Sequence, residues 1–177
     1  MAVQYLTHPS LIPTYSEEVL EQLIQHAKHD DYTLPLAYFY TVQPTIQAPR
    51  AIESLYVGIA RTSVTEAFYF SRGQADVARR KMFEMLISLV LHSHPSDRTA
   101  ARAVELVNLP LDLEEEDWFE FFLTKGEGRA FKRARDALIM RRIGTGKVSE
   151  ALTLDFNGGK TGGGLSWAMM QDALQEG

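Results

Sequence analysis

The sequence predicts an all-α protein, an irregular antiparallel array of about ten helices that is α-solenoid-like. Three observations carry that prediction. Apolar residues recur at three- and four-residue spacing in segment after segment. Ser, Thr or Asp repeatedly stands three residues before Glu, the signature of a capped helix start. No pair of neighbouring stretches alternates apolar and polar residues in the manner of paired strands. No unit of fixed length repeats, so the array is irregular.

Taken in order, "PTYSEEVLEQLIQHAKHDD" opens with Thr14 three before Glu17, and Val19, Leu20, Leu23, Ile24 and Ala27 form one stripe. "DDYTLPLAYFYTVQP" places Pro35 just inside a start capped by Asp31 or Thr33, and the helix ends before Pro44. Its aromatics Tyr38, Phe39 and Tyr40 also suit a strand. "APRAIESLYVGIARTS" starts at Pro49 with Ile52, Leu55, Tyr56 and Ile59 inward, and Ser63 with Glu66 caps "VTEAFYFSR". "QADVARRKMFEMLISLVLHSHP" has the widest apolar face, built on Phe83, Leu86, Ile87, Val90 and Leu91, so it is expected at the centre.

After Pro95, Ser96 and Asp97 restart the chain as "DRTAARAVELVNLP", which Asn108 and Pro110 close. Asp112 and Glu115 cap "LEEEDWFEFFLTKG", with Trp118, Phe121 and Phe122 expected inward and Lys125 and Gly126 at the end. "GRAFKRARDALIMRRIGTG" places Phe131, Ala134, Ala137, Leu138 and Met140 or Ile143 inside and Arg141 and Arg142 at the negative helix end. "KVSEALTLDF" and "LSWAMMQDALQ" complete the series. Residues 1–156 therefore read as an α-helical domain, 157–164 as a glycine-rich linker and 165–177 as a C-terminal helix that folds back or reaches a neighbour.

Composition excludes several function classes. A net charge of -5 argues against general nucleic-acid binding, which needs a surplus of Lys and Arg on one face. The absence of cysteine removes disulfides, thiol nucleophiles and cysteine-bearing zinc sites, as expected in a reducing compartment. The N-terminus lacks a basic start followed by an apolar run, and the longest apolar stretch, about residues 85–91, is too short to span a bilayer.

Motifs for catalysis fail on counting. "LTLDFNGGKTGGG" suggests a strand entering a phosphate loop, but G-x-x-x-x-G-K-[ST] with Lys160 and Thr161 requires glycine where Leu154 stands. "GTGKV" fails too, with Val148 in place of a hydroxyl and Arg141 in place of the first glycine. Ser166 sits in "GLSWA", a faint nucleophile elbow, yet no histidine follows His94 to serve as its base. His92 and His94 lack a third ligand apart from Asp97 and read as a helix-end pair touching carbonyls.

Glu114, Glu115, Glu116 and Asp117 point in different directions round a helix and favour its N-terminus, so they read as capping acids rather than a metal or acid/base cluster. Arg79, Arg80 and Lys81, with Lys132, Arg133, Arg135, Arg141 and Arg142, form two basic faces, solvated or able to dock an acidic partner. "WFEFF" at 118–122 is first a core stripe and second a binding hot spot. No catalytic, cofactor-binding or metal-ligating residue emerges, no cofactor or small-molecule substrate is implied, and the partner-binding residues stay unassigned.

The order of "AFYFSRG", "RRKMFEMLISLVL", "RAVELVNLPLDLEEEDWFEFFL" and "ARDALIMRRIGTGKVSEALTLD" resembles the α-helical domain of ELYS-like nuclear pore assembly proteins, especially the short fungal forms. The likeness is carried by "LVNLPL" at 106–111, the 115–123 segment with Trp118 and Phe119, and "ARDAL" at 134–138 leading to Gly146 and "EAL" at 150–152. It spans about residues 67–155, and more faintly the N-terminal third. The resemblance implies a non-enzymatic nucleoporin at the nuclear envelope, an adaptor or scaffold subunit joining the Y-shaped outer-ring complex of the nuclear pore, with scaffold nucleoporins as partners. Larger animal relatives add a β-propeller and DNA-binding tail motifs, and neither stands in this sequence. The alternatives are a nucleotide-binding enzyme using the 157–164 loop, or a helical interaction module of another complex that grasps acidic peptide with Arg79 and Arg80.

Overall fold

The computed structural model describes residues 12–27, 31–93 and 96–153. Every regular element among them is helical: α1 (Ile12–Gln25), α2 (Thr33–Val42), α3 (Pro49–Thr62), α4 (Val64–Arg72), α5 (Asp76–Leu91), α6 (Asp97–Val107), α7 (Leu113–Thr124), a 3-10 turn (Glu127–Ala130), α8 (Ala134–Gly144) and α9 (Val148–Thr153). Among the described residues the array is thus all-α, with nine α-helices and the 3-10 turn against about ten helices expected of the whole chain. The helix expected at 165–174, the glycine-rich 157–164 linker and the domain boundary at 156 lie outside the described residues.

Local chemistry explains most of the starts and stops. Asp112 and Glu115 form a reciprocal capping box at α7, and Ser96 forms one with Thr99 at α6. The Ser63 hydroxyl accepts from the Glu66 N–H at 3.2 Å, but the Glu66 carboxylate turns away to accept from the Tyr40 hydroxyl at 3.1 Å on α2. Half of the expected box is therefore traded for a contact between helices. Glu17 departs further from expectation. Helix α1 starts at Ile12 and kinks at Tyr15, and the Glu17 carboxylate accepts from the backbone N–H groups of Gln47 and Ala48, both at 2.8 Å. A side chain of α1 thereby caps the entrance of α3, where Pro49 supplies no donor. Gln43 ends α2 in the left-handed region at φ 49°, and Tyr38, Phe39 and Tyr40 are helical rather than extended.

Successive helices pack on one another except α6 and α7, which meet chiefly through α5 and α8, and packing on the next but one joins α1 to α3, α3 to α5, α4 to α6, α5 to α7 and α6 to α8. Helix α5 touches α3, α4, α6 and α7, the central place its wide apolar face requires. The core runs continuously from Leu20 in α1 to Leu138 in α8, and Tyr38, Tyr56, Phe68, Phe83 and Phe119 are its largest enclosed rings. Tyr56 satisfies its hydroxyl by donating to the Met82 carbonyl at 2.8 Å, and burial pushes its phenol well above the ordinary range. Gly58 lets the Tyr32 ring lie against α3, since a Cβ there would stand 2.6 Å from a ring carbon. No helix among the described residues is long and apolar enough to cross a membrane.

Candidate docking surface

The acidic start of α7 is a junction between helices. Glu115 is buried, and Arg72 at the end of α4 grips it through Nε at 2.9 Å and Nη2 at 2.6 Å while also donating to the Pro110 carbonyl at 2.9 Å. Arg79 of α5 bonds the same carboxylate and reaches Asp112 at 2.7 Å. Burial alone would raise the Glu115 carboxyl, but the Arg72 and Arg79 hydrogen bonds and the Asp112 backbone N–H together hold it below the usual carboxylate range. Asp112 is lowered first by the Glu115 backbone N–H it caps and then by Arg79. Three helices thus meet on one carboxylate. Arg72 also lies over the Phe68 ring, 4.4 Å from its centroid.

Arg141 of α8 has the same role on the other side of α7. It is buried, bonds Glu116 through Nε at 3.0 Å and also through Nη2, and donates to the carbonyls of Val107 at 2.8 Å and Leu109 at 2.6 Å, which close α6. Arg142 pairs with Glu120. Glu105 of α6 takes the Thr65 N–H at 2.8 Å and hydroxyl at 2.7 Å, tying α6 to the start of α4. Of the expected basic faces, Arg79, Arg141 and Arg142 are therefore spent on contacts between helices, whereas Arg80 pairs within its own helix and Lys81 and Lys132 are exposed. Of the Glu114–Asp117 run, Glu115 and Glu116 are ion-pair partners of three arginines, whereas Glu114 and Asp117 are exposed.

This buried scaffolding rotates α7 relative to expectation. Phe119, Phe122 and Leu123 fill the core with Glu115 on the same face, whereas Phe121 is 49% exposed and Trp118 half-buried. The surface so created has Phe121 as a ridge between two open grooves of about 470 and 460 Å³. One is lined by Arg80, Trp118 and Lys125, the other by Lys81, Met85 and Glu127. Arg80 pairs with Glu84 at 3.0 Å and stands 5.8 Å from the Phe121 ring and 6.0 Å from Trp118. Arg79 also lies against Trp118, 5.3 Å from its ring centroid. An exposed aromatic bordered by cations of which Arg79 and Arg80 are already paired suits a mixed apolar and charged partner better than a purely acidic one.

Similar corrections apply at α8. Met140 and Ile143 are exposed, at 44% and 46%, because Arg141 takes the inward position, and Phe131 packs before the helix on Phe122 and His92. His92 is exposed at the end of α5, and among the described residues no group of three His, Asp or Glu side chains is placed to hold a metal ion. His94, Ser166 and the 157–164 loop lie outside the described residues.

Among the described residues the array is helical, and its conspicuous surface feature is the aromatic ridge at Phe121. The chain belongs to the ELYS family, described as nuclear pore complex assembly, whose model matches residues 1–126. Its role therefore lies in nuclear pore complex assembly, consistent with localisation at the nuclear pore. The matched region includes the N-terminal third and stops before the 134–138 and 150–152 segments. No curated protein and no solved structure matches the chain significantly.

Proposed function

We propose that the chain is a non-enzymatic adaptor that joins the Y-shaped outer-ring complex of the nuclear pore by docking the α5–α7 face on a scaffold nucleoporin. The observation that carries this reading is Phe121, left half-exposed between two open grooves on a helix anchored by buried ion pairs, in a chain of a nuclear pore assembly family. The packing of the helices mainly on near neighbours in the chain supports an α-solenoid-like scaffold role, because such arrays present long continuous side faces. Co-elution of the purified chain with the Y-shaped complex tests the assignment. Phe121→Asp is expected to weaken that association at least tenfold while leaving thermal unfolding within a few degrees of the parent. Absence of co-elution by the parent chain removes the Y-complex reading, and undiminished binding by F121D removes the α5–α7 face.

A further inference from the structure

We propose that residues 165–174 dock as an amphipathic helix in the apolar groove between α6 and α8. That groove, about 360 Å³, is lined by Leu91, Ala103, Val104, Val107, Ala137 and Met140, with Arg133 and Asp136 at its edge. Val104 and Met140, on facing helices, stand 45% and 44% exposed there, an apolar pairing that solvent does not favour.

Four features of this chain select its own C-terminal segment as the occupant. Helix α9 packs on α8 and ends at Thr153, so the remaining chain sets out from an element already attached to one wall of the groove. The 11 residues 154–164 include five glycines, and glycine-rich chains of that length have a typical end-to-end distance of about 18 Å. That reach suits a groove beside the neighbouring helix. At helical spacing Trp167, Met170 and Leu174 share one face, and a ten-residue helix is about 15 Å long, three turns that suffice to lay these side chains over Val104 and Met140. Methionine adapts to a shallow, irregular apolar surface. Residues 165–177 carry Asp172 and Glu176 and no Lys or Arg, which allows a pairing with Arg133 at the groove edge and sets the register that keeps both acids away from Asp136.

Tryptophan fluorescence reads the docking directly, because the chain has two tryptophans and Trp118→Phe leaves Trp167 as the reporter. In the full chain carrying W118F, Trp167 emission is expected to be blue-shifted from that of a free 165–177 peptide. Met140→Glu is expected to return it to the peptide value. Met170→Glu must do the same without altering the groove, which keeps the test valid should M140E fail to fold. Sedimentation is expected to show a monomer with the blue shift independent of concentration. Peptide-like emission in the full chain overturns the proposal. So does a blue shift that grows with dimer formation, which assigns the groove to a second copy, or one that arises only on adding a scaffold nucleoporin.

Discussion

Glu115 shows how much of this molecule depends on single side chains. Its carboxylate accepts from two arginines and from the backbone N–H of Asp112, so three helices lose a shared partner when its charge is removed. Glu115→Gln is expected to cost about 2–3 kcal/mol, less than the largest values for a severed buried pair because Arg72 and Arg79 retain access to water. A lowered urea midpoint with unchanged slope measures it. The same site gives the acid limit of stability. Glu115, Glu105 and Asp112 all have carboxyls below their ordinary range in the folded chain, each despite burial that opposes it. Their contribution is full above the unfolded values, about pH 4, and is lost as pH falls through the depressed folded ones. Unfolding midpoints measured downward from pH 5 are therefore expected to drop most steeply below pH 4, and E115Q is expected to show a shallower fall.

At the scale of the helix, α7 and α8 explain both what the sequence disclosed and what it concealed. Helix starts at Ser63, Ser96 and Asp112 were legible because a cap is local chemistry within four residues. The central place of α5 was legible because its buried stripe is wholly apolar. In α7 the inward face comprises Glu115, Phe119, Phe122 and Leu123, and in α8 it includes Arg141. A charged residue on the buried stripe breaks the apolar period, so the sequence pattern chose Phe121 in place of Phe119 and Met140 or Ile143 in place of Arg141. The partners that permit these charges inside lie 25 to 43 residues away, beyond any local spacing rule. The sequence offered 118–122 as a binding hot spot only in second place for the same reason, since exposure of Phe121 follows from burial of Glu115. Arg141 provides the test. Its guanidinium supplies donors to Val107, Leu109 and Glu116 together, and lysine offers one ammonium without the planar fork. Arg141→Lys is expected to lose about 1–2 kcal/mol and Arg141→Met about 3 kcal/mol in urea unfolding, because Met also leaves the closing carbonyls of α6 without their donor.

Across the whole molecule, the region shared with the family and the region that folds together differ. The match ends at residue 126, yet α8 packs on both α6 and α7, and its Ala134, Ala137 and Leu138 belong to the same core as Phe83 and Phe119. The 3-10 turn also belongs to that unit: Gly128 is buried against the Phe122 ring, where a Cβ would come within 2.7 Å of it. Cutting after residue 126 would uncover Phe122, Leu123 and Val107, withdraw the donors that close α6 and leave Glu116 and Glu120 without their arginine partners. In an array where helices touch mainly their near neighbours, such damage spreads inward from the exposed end, so the loss falls first on α6 and α7 and then on α5. A chain of residues 1–126 is accordingly expected to retain helical circular dichroism but to unfold at least 10 °C lower and over a broader range than one of residues 1–153. Equal midpoints and equal urea slopes for the two chains would make α8 and α9 an appendage, whereas the predicted difference makes them the closing wall of the core on which the α5–α7 face depends.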